Sequence, residues 1–232
     1  MKIISVADTH GDRTPLKIAK SKINDCDKVI FLGDYVDSYD SDWTVQEEVL
    51  NDILSFKKEY PDKVVLLFGN HDFSYISDPN VSGHQHKYHC RINNFFIENF
   101  NFFDVIYKQD NWVFSHAGVS ETWLSRNFDN KLDNINPYFH KREWGKMDCA
   151  FDHLSFNPYG DSPIEGPLWI RPAALNNSSI SFNQCVGHTE FRENVNRVFD
   201  SEEHKLVFLD SEKRNVFAEI NTTSNEVRIC KG

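Results

Sequence analysis

Carboxylates and imidazoles recur along this chain in short polar clusters, most of them beside a glycine. They are Asp8-Thr9-His10, Gly33-Asp34-Tyr35-Val36-Asp37, Gly69-Asn70-His71-Asp72, His116-Ala117-Gly118 and Gly187-His188-Thr189. Taken together, Asp8, His10, Asp34, Asn70, His71, His116 and His188 offer carboxylate oxygen, imidazole nitrogen and one amide oxygen. That mixed donor set suits Mn, Fe or Zn better than an all-oxygen Mg or Ca cage. There are donors enough for two cations, and Asp34 is a carboxylate that could bridge them. Two cations about 3.5–4 Å apart generate a hydroxide nucleophile and clamp the oxygens of an in-line phosphoryl displacement.

Such a site exists only if the clusters meet in space, so the elements before them matter. Residues 2–7, 28–32 and 63–68 are short apolar runs of strand length. Between them, residues 14–23 carry apolar positions at helical spacing with Pro15 in the first turn. Residues 41–60 form a longer amphipathic helix with Ser41 or Asp42 as its cap and Pro61 beyond its end. A β-α-β-α-β order with continuously apolar strands predicts a parallel sheet covered on both faces. In an open α/β sheet ligands bind at the carboxyl ends of the strands. The first three clusters fall at three such ends, and His116 and His188 follow further strand-like runs at 111–115 and 182–186. Runs at 205–209, 215–220 and 226–230 read as an antiparallel second sheet. The irregular stretch from about 120 to 182 reads as a helical and loop cap over the site, within a single domain spanning 1–232.

Composition narrows the function classes. The 232 residues include 25 Lys and Arg against 35 Asp and Glu, a formal charge of −10. So acidic a surface repels phosphate backbones, and no strong nucleic-acid binding is expected. No run approaches the ~18 uninterrupted apolar residues of a membrane helix, and the first residues do not read as a signal peptide. A cytoplasmic protein with no membrane partner is the expectation. The five cysteines are odd in number and include no Cys-x-x-Cys pair, which predicts reduced, mostly buried thiols.

The five clusters, in this order, resemble the successive motifs of calcineurin-like metallophosphoesterases. Gly33-Asp34-Tyr35-Val36-Asp37 is most similar to the phosphoprotein phosphatase branch, including its small bacterial and phage members. The resemblance spans residues 8 to 189. It implies an α/β fold, a metallophosphoesterase-type β-sandwich of two mixed sheets flanked by helices. It implies that Asp8, His10 and Asp34 bind one metal and that Asp34, Asn70, His116 and His188 bind the second, with Mn2+ expected and Fe or Zn as alternatives. It also implies that His71 is the catalytic histidine, oriented by Asp37, which protonates the leaving group as the metal-bridging hydroxide attacks phosphorus. Arg171, in Pro167-Leu168-Trp169-Ile170-Arg171, resembles the arginine that holds substrate phosphate. The chain departs from the family where Ser38-Tyr39 follow Asp37 in place of Arg-Gly, so one phosphate-clamping arginine is absent. The last motif lacks the second histidine of Gly-His-x-His.

The first functional reading is therefore a phosphomonoesterase, such as a serine/threonine phosphoprotein phosphatase, whose partner is a phosphorylated protein, nucleotide or small molecule. Its alternative is a phosphodiesterase or dinucleoside polyphosphate hydrolase, and a non-catalytic scaffold on the same fold stands third. Elsewhere, His84-x-His86-x-x-His89 reads as an exposed polar helix with His86 and His89 on one face rather than a third metal site. Asp40, Asp42, Glu47 and Glu48 read as a solvated helix start, and the 19 phenylalanines as packing.

Overall fold

Strand β1 (Lys2–Val6) leads through helix α1 (Thr14–Lys22) to β2 (Lys28–Phe31), and through α2 (Trp43–Glu59) to β3 (Val64–Leu67). This is the alternation expected from the apolar runs. The computed structural model describes residues 1–77, 81–143, 150–151, 162–178, 181–192, 197–201, 204–211 and 213–232. β1, β2 and β3 are parallel neighbours, and β4 (Phe103–Asp104) extends the set. Asp42 caps α2 by accepting the Val45 amide at 3.2 Å, and Lys57 and Lys58 stand in its last turn, where cations suit the helix dipole.

Continuous apolarity in these strands has a clear cause: both faces are buried. Ile4, Val29, Phe31, Val64, Leu66 and Phe68 pack against the helices. Ile3, Ile30, Leu32, Val65 and Leu67, which alternate with them, pack against Trp112, Phe114, Cys185 and Val207 of a second sheet. Each such side chain contributes roughly 1.5–3 kcal/mol by leaving water.

The second sheet runs β5 (Ile106–Gln109), β6 (Trp112–Ser115), β7 (Asn183–Val186), β9 (Lys205–Phe208), β8 (Val198–Asp200), with β6, β7 and β9 parallel. The chain passes between the sheets at Val105, directly after β4. The tail corrects the expectation of a separate antiparallel sheet. Only β9 joins the second sheet, whereas β10 (Val216–Asn221) pairs antiparallel with β1, and β11 (Glu226–Lys231) pairs with β10. β10 buries Phe217 on one face and Ala218 and Ile220 on the other, a pattern suited to an interior strand. β11 is largely exposed, as an edge strand can be.

Within residues 120–182, α5 (Glu121–Phe128), α6 (Ile135–Phe139) and α7 (Pro172–Asn176) are described. Trp123, Phe128, Ile135, Phe139 and Phe151 join the helix-side core, so this part of the segment is packed against the first sheet's helices. Residues 144–149, 152–161 and 179–180 of it lie outside the described residues. Cys26 and Cys185 are buried free thiols as expected, while Cys90 is exposed; Cys149 lies outside the described residues.

Candidate metal centre and active site

Three of the site loops leave their strands in a backbone conformation that most residues avoid. Asp8, His10, Asp34, Asp37 and His188 all have left-handed φ, between +40° and +66°. These kinks follow β1, β2 and β7 directly and fold the side chains back over the strand ends. The loops also touch one another. A side chain at Gly69 would meet Oδ1 of Asp34 at 2.0 Å, and one at Gly187 would meet Oδ2 of Asp8 at 2.1 Å. Only glycine permits that approach. Asp72 ties two of the loops together: its carboxylate accepts the amides of Asp34 (2.8 Å), Tyr35 (2.8 Å) and Gly69 (2.9 Å).

Hydrogen bonds on the far side of each ring decide which imidazole nitrogen faces inward. His116 Nδ1 lies 2.8 Å from the Leu32 carbonyl, and His10 Nδ1 lies 2.6 Å from the Val36 carbonyl. A carbonyl only accepts, so each Nδ1 carries the proton and each neutral ring turns a bare Nε2 inward. His116 Nε2 then stands 2.8 Å from Asn70 Oδ1, 3.1 Å from His188 Nδ1 and 3.4 Å from Asp34 Oδ2. His188 Nδ1 is 3.1 Å from the same Asn70 oxygen. On the other side of Asp34, the same Oδ2 is 3.6 Å from His10 Nε2. Donor atoms of Asp8, Asp34 and His116 fall within 4.8 Å of one another.

Lone pairs thus face lone pairs on both sides of one carboxylate. One proton on Asp34 could satisfy only one of the two imidazoles, whereas cations can satisfy both. The electrostatics agree. Burial first, then the neighbouring carboxylates, pushes Asp8 and Asp34 well above the usual carboxylate range. Burial pulls His10 and His116 down to about 3 and His188 in the same direction, which keeps the imidazoles neutral, the form that binds metal. The residues present therefore fit two divalent cations flanking Asp34.

A cavity of about 370 Å³ opens over this cluster, lined by Asp8, His10, Asp34, Asn70, His71 and Arg171 among others. His71 Nδ1 lies 2.9 Å from Oδ2 of Asp37, whose side chain is fully buried, and the His71 amide donates to Asp34 Oδ1 at 3.0 Å. Arg171 precedes α7 and donates from Nη1 to Thr189 Oγ1 at 3.2 Å. All nine residues expected from the sequence thus converge at the carboxyl ends of the strands.

Several participants were not expected. Asp210 lines the cavity, is half-buried, and is the charged neighbour acting most strongly on Asp8. It follows β9 at a strand end, so the rule that located the other clusters also applies to it. Asp72 stood in a quoted motif without a role. Tyr75, whose hydroxyl donates to Asp37 Oδ1, had no signal beyond its place four residues after His71. The histidine cluster differs from expectation: the helix α4 (His89–Asn99) starts only at His89, and it is His84 that reaches His89, Nε2 to Nδ1 at 3.0 Å, while His86 stays exposed.

Residues 1–213 match the family model for calcineurin-like phosphoesterases, and the chain belongs to that family. It is a metal-dependent phosphatase in the broad metallophosphoesterase sense. Among solved structures it resembles a mutant cold-active protein tyrosine phosphatase (19% identity, TM-score 0.58, covering 98% of this chain and 80% of that one). It also resembles a protein serine/threonine phosphatase from Saccharomyces cerevisiae (17%, 0.58, 100% and 80%). A third likeness is to a metallophosphoesterase from Sphaerobacter thermophilus (14%, 0.55, 100% and 88%). These likenesses establish the fold. The chain has no significant match among curated protein sequences.

Proposed function

We propose that the protein is a dinuclear, Mn2+-dependent phosphomonoesterase formed by the whole chain as one domain, with the segment around 120–182 contributing the cap. Asp8, His10 and Asp34 hold one ion; Asp34, Asn70, His116 and His188 hold the other. Ions bound there would activate water as the nucleophile and neutralise charge on the transferring phosphoryl group. Arg171 holds the phosphate through its planar guanidinium, oriented by Thr189. His71 donates its proton to the departing oxygen as the phosphorus–oxygen bond breaks. Its Nδ1–H stays on Asp37, so the proton given up is the one on Nε2, and the ring is left neutral with Nδ1–H on Asp37.

The observation that carries this reading is the set of bare donor atoms on both sides of Asp34, in one cavity with a carboxylate-bound histidine. Two of the structural relatives are described as protein phosphatases, which favours a phosphorylated protein as substrate. The test is a panel of p-nitrophenyl phosphate, bis-p-nitrophenyl phosphate, a phosphopeptide and a dinucleoside polyphosphate, on chelator-treated protein resupplied with Mn(II) or Ca(II). Monoester turnover restored by Mn(II) and poorly by Ca(II) is expected. Faster cleavage of the diester or the polyphosphate overturns the monoesterase assignment.

A further inference from the structure

His71 and Tyr75 both lie on helix α3 (Asn70–Ser77), one turn apart, so they share the face turned toward Asp37. Asp37 divides its two oxygens between them: Oδ2 takes the His71 Nδ1 proton and Oδ1 takes the Tyr75 hydroxyl. The Tyr75 oxygen in turn accepts the Gln85 amide at 2.8 Å, so the hydroxyl proton is committed to Asp37. The phenol ring is buried and stacked on His84, with centroids 4.2 Å apart and planes 16° from parallel. His84 is held by His89 at 3.0 Å. Burial and the adjacent Asp37 carboxylate push the phenol above its ordinary range, so it remains a proton donor at any working pH.

We propose that Tyr75 is the positioning residue of the His71–Asp37 pair. A carboxylate held on one oxygen alone is free to rotate, and the imidazole it carries turns with it. A donor on each oxygen fixes the carboxylate plane, and the fixed plane aims His71 Nε2 into the cavity. The stacked His84 makes residues 81–89 part of this support, so the loop beside the cavity and the acid move together. This inference rests on His71 being the proton donor to the leaving group, and the experiment separates the two.

Tyr75→Phe, His71→Asn and the double variant are compared with the parent on p-nitrophenyl phosphate, whose leaving group scarcely needs a proton, and on phenyl phosphate, whose leaving group does. Tyr75→Phe keeps the ring and its stacking, so bound Mn and KM are expected unchanged. Its kcat on phenyl phosphate should fall roughly tenfold, as loss of one buried hydrogen bond to a charged group allows, with a much smaller fall on p-nitrophenyl phosphate. Adding Tyr75→Phe to His71→Asn should cost nothing more, because Tyr75 acts only through His71. A downfield proton resonance that vanishes in His71→Asn should move in Tyr75→Phe, a signature independent of turnover. His84→Ala, which removes the stacking partner and leaves the hydroxyl, should show the same leaving-group dependence more weakly. It carries the test if Tyr75→Phe fails to fold. Equal losses on both substrates, or a further loss in the His71→Asn background, overturn the role of Tyr75 and leave His71 as the acid. A His71→Asn defect that is the same on both substrates overturns both.

Discussion

Nε2 of His116 stands 3.4 Å from Oδ2 of Asp34, two proton acceptors facing each other where neither side chain meets bulk solvent. The His116 proton is engaged on the opposite ring nitrogen by the Leu32 carbonyl. His10 repeats the relationship from the other side of the same oxygen. Each pairing is costly without a positive charge between the atoms and favourable with one.

That relationship fixes where protons leave when metal binds. The imidazoles of His10 and His116 are already neutral above about pH 3. Asp8 and Asp34 are held above the ordinary carboxylate range, so below their raised values protons compete with the ion. Mn(II) binding should therefore release protons from the carboxylates, and affinity should rise with pH until those groups are ionised. Calorimetry in buffers of different ionisation enthalpy counts the protons. Release that shrinks toward high pH is expected; binding that releases no protons at any pH would contradict the assignment.

Asp72 supports the site without reaching it. Asp72→Ala leaves the amides of Asp34, Tyr35 and Gly69 without their acceptor in a buried setting. Even one unsatisfied buried amide costs roughly 1–3 kcal/mol, on the order of 2–12 °C in Tm for a chain of this size. The loops after β2 and β3 should also part, lowering bound metal. A variant with unchanged melting and full metal content would remove Asp72 from this supporting role.

Arg171 is held at one nitrogen by Thr189, leaving the rest of its fork for phosphate. Arg171→Ala should keep metal content, raise KM and lower kcat/KM by about ten- to a hundredfold, the worth of a charge-assisted bidentate contact. Ser38 stands where the family carries a further arginine, so that position offers no compensating contact. Unaltered kinetics would return Arg171 to surface packing.

Much of this was readable from residue types and order. The three opening strands announce themselves because both faces are buried, and the donor residues follow strand ends, where an α/β sheet binds ligands. The fate of the tail was not readable. β9 and β10 are similar apolar runs, and which sheet takes each depends on the open edge of β1, a partner more than two hundred residues away in sequence. Asp210 was missed for the same reason: its strand end belongs to the cluster only once β9 lies parallel to β7. Tyr75 was missed because nothing in the local pattern marks a phenol that serves a carboxylate on another loop.

The central claim is that Asp34 is shared between two cations, and metal counting on titrated variants tests it most directly. Chelator-treated protein should take up two Mn(II) per chain, with the electron paramagnetic resonance signal of a spin-coupled pair. His116→Ala should lose one ion and the coupling while keeping the site of Asp8, His10 and Asp34. Asp34→Ala should weaken both sites together, because its Oδ2 faces His10 and His116 alike. An Asp34→Ala protein that still binds two coupled Mn(II) ions with the parent's affinity would contradict the account.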